Sequence, residues 1–287
     1  MESLNYSQIK DLRIKANEIR KSIVEMLAEA GSGHTAGALG MADVLTYLYF
    51  RELRHKPTDP DWKDRDRLVL SNGHICPVLY ATMAHAGYFP VSELMTLRKF
   101  GTRLQGHPHR EFLPMLETSS GPLGEGLSQA IGMTIASRMN KDFNKTIYCL
   151  LGDGELNEGQ NWEAMLLASK EKLNNLIAFV DRNNIQIDGN TESVMPLNNL
   201  ADKIKSFNWY VQEINGNDIR EIEKAIYNAK LNKDKPSVII ANTVPGYGVK
   251  EFENNYIWHG KAPDKEQKEM ALLELDKLIY KIRTERQ

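Results

Sequence analysis

Two short apolar runs, Thr146–Leu151 and Leu176–Val180, each stop abruptly at glycine, aspartate or asparagine, with room for one helix between them. Such runs are too short for helices and have no polar alternation, so they read as strands buried in a sheet core. Residues 159–172 carry the intervening helix. Downstream the alternation continues, with a helix at 199–207, a strand at 209–214, a helix at 218–231 and a strand at 237–242. Strands alternating with helices predict an α/β fold, an open parallel sheet with helices on both faces. Upstream, Ile9, Leu12, Ala16, Ile19, Ile23 and Leu27 recur at helical steps over residues 7–30, ending at Gly31-Ser-Gly33-His34. A second helix is expected at about 40–53. Leu68-Val-Leu70 then leads into Ser71-Asn-Gly73-His74. Residues 75–86, 92–100 and 127–139 also read as helical, and residues 101–126, rich in Gly and Pro, as loop. With no repeat or linker, residues 1–287 read as a single domain.

Composition excludes several classes. Lys+Arg number 36 and Asp+Glu 38, a net charge of −2, without the basic patch of a nucleic-acid or membrane-surface protein. No apolar run is long enough to span a bilayer, and MESLNYSQIKDLRIK is too polar for a signal peptide. Cys76 and Cys149 form no CxxC pair and are expected as reduced thiols in a cytoplasmic protein.

In an open parallel sheet, ligands bind at the carboxyl ends of the strands. Strand 146–151 runs straight into Gly152-Asp153-Gly154. The next strand ends in Asp181-Arg-Asn183-Asn184-Ile185-Gln-Ile187-Asp188-Gly189. Each motif alone is equally a turn or a cap. As a pair on adjacent strands, Asp153 offers one charged oxygen, Asn183 a neutral one, and a carbonyl near Ile185 a third. Mg²⁺ held by so few protein oxygens completes its shell with water and phosphate oxygens. The pattern therefore suits a metal that bridges to a diphosphate.

Four of the seven histidines adjoin a glycine: His34, His74, His107 and His259. Chance predicts about one such contact. A lone histidine is more often a surface or core residue than a catalyst, and His55, His85 and His109 are read that way. Four in loops facing one crevice suit a polyhydroxy substrate, since neutral imidazoles donate to hydroxyls and accept protons near pH 7.

The segments Gly152–Ala164 and Ile185–Gly189 resemble the thiamine diphosphate signature in the form found in transketolases. Ser32-Gly-His34, Ser71-Asn-Gly-His74, Gly106-His107-Pro108 and Trp258-His-Gly260 resemble the histidine motifs of that family, in the same order. The resemblance implies that Asp153, Asn183 and the Ile185 carbonyl hold Mg²⁺, with Ca²⁺ or Mn²⁺ as alternatives. It implies cofactor contacts from His74, Gly152, Gly154, Asn183, Ile187 and His259. By the same resemblance His34 and His259 handle the C3 hydroxyl proton of a ketose donor, and His107 contacts its C1 hydroxyl. Ser120-Gly121-Pro-Leu123-Gly-Glu125-Gly126 is similar to the family's cofactor cradle, in which Gly121 and Leu123 meet the heterocycles. Glu158 and Glu163, exposed helix acids by spacing alone, correspond to interface acids. Two departures stand out: Thr35 replaces the usual proline after the first histidine, and Glu125 replaces the usual glutamine.

The resemblance covers nearly this whole chain but only about the first half of a full-length transketolase. It implies a diphosphate-binding domain, with the pyrimidine and C-terminal domains absent. The activating glutamate would come from a C-terminal transketolase subunit, expected in an α2β2 heterotetramer. The expected activity is transfer of a two-carbon ketol unit from a ketose or ketose phosphate to an aldose. The rival readings are a subunit of a 1-deoxyxylulose-phosphate synthase-like or 2-oxo acid dehydrogenase-like enzyme, and a non-catalytic cofactor-binding regulatory subunit.

Overall fold

The computed structural model describes residues 3–142 and 144–285. Its core is a five-stranded, fully parallel sheet in the order β1 (Arg67–Leu70), β2 (Ile147–Gly152), β3 (Leu176–Arg182), β7 (Ser237–Asn242), β6 (Tyr210–Asn215). The chain steps outward from β1 to β3, crosses to the far edge as β6, and returns to fill the gap with β7. A two-residue hairpin, β4 (Ile185–Gln186) and β5 (Gly189–Asn190), follows β3.

The period of two along a strand explains why the central runs are apolar throughout. Tyr148 and Leu150 of β2, and Ile177 and Phe179 of β3, join one core. Ile147, Cys149 and Leu151, with Leu176, Ala178 and Val180, join the other. The first core is covered by α1 (Tyr6–Ala30), α2 (Ala36–Gly40), α3 (Ala42–Tyr47), α4 (Cys76–His85), α9 (Ile219–Leu231) and α10 (Lys265–Thr284). The second is covered by α5 (Gly126–Met139), α6 (Gly159–Lys170) and α8 (Leu200–Ser206), while the single turn α7 (Thr191–Val194) follows the hairpin.

The structure departs from the sequence expectation in three places. The second helix begins early, at Ala36, breaks at Met41 and ends in a π-helical turn, Leu48–Glu52. The segment expected as helix 92–100 is a 3₁₀ stretch, Val91–Thr96. It ends because Arg98 adopts a left-handed φ of 60° and its N–H donates to the Leu104 carbonyl at 3.0 Å. The C-terminal α10 was not expected. It starts in a capping box between Asp264 and Gln267. It packs antiparallel on α1 through Lys21–Asp276 and Arg13–Glu285, each 2.6 Å. Among the described residues no helix is long and apolar enough to cross a membrane.

Because every strand runs the same way, their carboxyl ends share one edge. Ser71–His74 follow β1, Asp153 follows β2, Asp181–Asn183 close β3, and Thr243 follows β7.

Candidate active site

At that edge lies a crevice of about 380 Å³. Its floor is built from the ends of β2 and β3. The register pairs Gly152 with Asp181, and the Asp153 N–H donates to the Asp181 carbonyl at 3.2 Å. Asp153 is 2% exposed and heavily hydrogen-bonded. Its Oδ1 accepts from Gly154 N–H at 2.8 Å, and its Oδ2 from Asn184 N–H at 2.8 Å, Arg182 at 3.1 Å and Thr191 at 3.3 Å. Asn184 sits at φ 63°, a left-handed conformation that asparagine tolerates. That turn lets Ile185 N–H donate to Asn183 Oδ1 at 3.0 Å, while Asn183 Nδ2 donates to Asp181 at 2.7 Å. Asp181 also accepts from the Thr243 hydroxyl, which ties β7 to β3.

Burial pushes the carboxyls of Asp153 and Glu155 upward, and that of Asp181 up to about 7. Three buried carboxyl groups thus share a region whose one paired cation among the described residues, Arg182, is divided between Asp153 and Glu192. Such a floor favours a further cation. Among the described residues no three His, Cys, Asp or Glu side chains gather as a metal cage. Asp153, Asn183 and Ile185 line the crevice, and one carboxylate with two neutral oxygens is the kind of donor set that a divalent ion completes with phosphate oxygens.

Glu155 carries a role that sequence reading missed. Its carboxylate accepts from the Ser71 hydroxyl, from Gly124 N–H at 2.7 Å and from Gly152 N–H at 2.9 Å. One buried side chain therefore joins the loop after β1, the end of β2 and the cradle 120–126. Glycines permit the approach. A Cβ on Gly126 would lie 2.4 Å from Ser71 Cβ, and one on Gly73 would lie 2.6 Å from Ser120 Oγ. Nothing in the sequence marks Glu155 apart from its place beside Gly154.

The four glycine-flanked histidines meet over this floor. Ring centroids lie 5.0 Å apart for His34–His74, 5.1 Å for His74–His259, 5.7 Å for His34–His259 and 6.4 Å for His34–His107. Burial holds all four below the ordinary imidazole range. His34 is pushed down to about 4, with the neighbouring His259, Arg98 and His107 adding to the effect. Near neutral pH the rings are uncharged, so each offers one donor and one acceptor. Nδ1 of His34 and of His259 are buried without a partner. Thr35, where the sequence departs from proline, is fully buried and donates to the Lys261 carbonyl at 2.5 Å. It thereby ties the His34 loop to the His259 loop.

The crevice is lined by His34, His74, His107, Gly121, Leu123, Gly152, Asp153, Gly154, Asn183, Ile185, Ile187 and His259. These are all the candidate residues except the acids Glu158 and Glu163, which lie exposed outside it near the exposed Leu166 and Leu167. Leu123 and Ile187 present apolar side chains, 37% and 59% exposed, beside the polar floor. An apolar wall next to a carboxylate floor suits a ligand with a ring system and an anionic tail. Glu125 is exposed at the start of α5 and makes no side-chain cap, and nothing in the structure explains its replacement of glutamine. His55 binds Tyr88 and the Tyr49 carbonyl, and His85 binds Ser22, as ordinary packing histidines do.

Comparison with known proteins gives a consistent result. Residues 12–276 match the family model described as transketolase, thiamine diphosphate binding domain. The chain is 43% identical to the 6-deoxy-6-sulfo-D-fructose transketolase subunit SqwG of Clostridium sp. (strain MSTE9), over 93% of this chain and 97% of that one. It is 39% identical to an apulose-4-phosphate transketolase subunit of Phocaeicola vulgatus, over 97% and 98% of the two chains. The crystal structure of Campylobacter jejuni transketolase superposes with a TM-score of 0.88 at 34% identity, covering 95% of this chain but only 43% of that one.

Proposed function

Because the chain belongs to the transketolase family, we propose that it is the diphosphate-binding N-terminal subunit of a two-chain transketolase, transferring a two-carbon ketol unit from a ketose to an aldose. The observation that carries this reading is convergence: four histidine rings and the Asp153–Asn183 floor face one crevice. Bound thiamine diphosphate would supply the electron sink that protein side chains lack.

The chain's own residues do the rest. Asp153, Asn183 and the Ile185 carbonyl hold a divalent ion, with Mg²⁺ as the first choice. His74 and the backbone of Gly152 and Gly154 meet the diphosphate, and Gly121, Leu123 and Ile187 the rings. His34 and His259, neutral at physiological pH, accept and return the donor's C3 hydroxyl proton. His107 holds the C1 hydroxyl. Glu158 and Glu163 lie at a subunit interface.

The whole chain is read as one diphosphate-binding domain, completed by a partner chain that carries the pyrimidine and C-terminal domains and the activating glutamate, in an α2β2 assembly. Two relatives resembling this chain over nearly its full length are named as subunits, which supports the two-chain reading. The two buried free thiols suit a reducing cytoplasm. The sugars named for those relatives differ from each other, so the choice of ketose belongs to the completed assembly.

Thermal melting with and without Mg²⁺ tests the metal assignment. Ligand at a thousand times its dissociation constant stabilises by about 4 kcal/mol. Asp153→Ala is expected to lose the Mg²⁺-dependent part of that shift. A variant responding to cofactor and metal as the wild type does contradicts the assignment. Pyruvate turnover without ketose turnover by the assembled subunits would overturn the transketolase reading itself.

A further inference from the structure

Asn72 is fully buried, yet both ends of its amide, Nδ2 and Oδ1, lack a hydrogen-bond partner. It lines the same crevice as His74, Asp153 and Asn183. Its backbone is well held. With φ −73° and ψ 63°, and the Gly73 N–H donating to the Ser71 carbonyl at 2.8 Å, it is the centre of an inverse γ-turn. Ser71 N–H is anchored to the Leu150 carbonyl at 2.9 Å. The end of β2 leaves room for the amide, because a Cβ on Gly152 would lie 3.6 Å from Asn72 Cβ and 3.9 Å from its Nδ2. A rigid turn therefore points a polar group into a polar crevice and gives it nothing to bond. Buried amides unpaired on both sides are rare, because each lost partner destabilises the fold. Such a group persists where a ligand completes it.

We infer that Asn72 is a cofactor-binding residue whose Nδ2 donates to an oxygen of the diphosphate, an inference that rests on the thiamine diphosphate reading above. The floor narrows the choice of ligand atom. Asp153, Glu155 and Asp181 already accept from neighbouring donors, so the crevice needs no further hydrogen-bond donor for its own sake. An oxyanion brought in with a divalent ion does need one. A neutral amide supplies it without competing with the metal for the carboxylates.

The test uses the chain assembled with its partner subunit, with thiamine diphosphate and Mg²⁺, and with Mg²⁺–pyrophosphate as a probe confined to the tail. Melting temperature without ligand and dissociation constants are read for the wild type, Asn72→Leu and Asn72→Asp. Losing a hydrogen bond to a charged acceptor is expected to weaken both ligands by about tenfold or more in Asn72→Leu. Asn72→Asp keeps the shape but replaces the donor with a negative charge among three carboxylates, so it is expected to bind more weakly still. The unliganded Asn72→Leu protein is expected to melt at or above the wild-type temperature. Wild-type affinity in Asn72→Leu overturns the inference and leaves the cofactor reading standing, as does an unliganded melting temperature well below the wild type. A wild-type assembly of the chain with its partner subunit that binds neither ligand removes the cofactor reading and the inference together.

Discussion

The two ends of the crevice are built on opposite plans. At the carboxylate end, Asp153, Glu155 and Asp181 are all engaged, by backbone N–H groups, hydroxyls, an amide and one arginine. At the histidine end, Nδ1 of His34 and of His259 are buried and unpaired. A buried donor or acceptor left alone costs about 1–3 kcal/mol. The protein therefore spends its own hydrogen bonds on fixing the place of a charge, and leaves open the groups that would read a changing ligand. That division matches the chemistry proposed for each end, since a metal site tolerates little displacement and a ketose must enter and leave.

The sharpest way to break this contrast is to cut the network at Glu155. Glu155→Ala removes the acceptor of the Ser71 hydroxyl and of two buried N–H groups, those of Gly124 and Gly152. At about 1–3 kcal/mol for each stranded donor, the loss is expected to reach about 3 kcal/mol or more. That corresponds to a fall in melting temperature on the order of 10 °C. Glu155→Gln keeps one acceptor oxygen and is expected to lose less. A Glu155→Ala protein that melts with the wild type would show that the carboxylate end is not held as described.

At the histidine end the expected effect depends on pH and is absent at neutrality. His34 titrates at about 4 in the folded chain against an ordinary 6.5. Between these values the unfolded chain carries more protons on this group than the folded one. Its contribution to stability is thus complete above about pH 6.5 and is lost as the pH falls toward about 4. The slope is at most about 1.4 kcal/mol per pH unit. His34→Gln removes this linkage, so its stability relative to the wild type is expected to improve on acidification through that window. Chemical denaturation of both proteins at a series of pH values reads the difference, and parallel curves would refute the depressed pKa.

What could be read in the sequence follows the same division. The strands were legible because burial on both faces demands continuous apolar runs, as in Ile147–Leu151. The floor was legible because Asp153 and Asn183 close adjacent strands, and the histidines because glycine flanks them. Glu155 was not, since a buried keystone carboxylate and an exposed one look alike until three loops close on it. Asn72 passed as part of the Ser71–His74 loop for the same reason. Helix α10 is a different case. The spacing of Ala271, Leu275, Ile279 and Ile282 after the Asp264–Gln267 box was a sufficient signal in itself. The short 3₁₀ stretch at Val91–Thr96 was set by tertiary contacts, because the left-handed Arg98 that ends it is fixed by Leu104.

The smallest expected effect is also the one that links the two loops of the histidine end. By sequence, Thr35 stands where the resembled family usually has proline. In the fold its hydroxyl holds the His34 loop against the Lys261 carbonyl. Its backbone, at φ −92°, lies outside the range that proline prefers. Thr35→Val keeps the shape and removes the donor, which is expected to cost about 1 kcal/mol of stability. Because the bond acts on the spacing of His34 and His259 and not on the carboxylate floor, kcat of the assembled enzyme is expected to fall while the dissociation constant for thiamine diphosphate and Mg²⁺ stays put. Thr35→Ser retains the hydroxyl and is expected to recover most of the rate. If Val and Ser behave alike, the hydroxyl does not position the histidines. If cofactor affinity falls together with the rate, the two ends of the crevice are coupled through this loop and the contrast between them is weaker than drawn above.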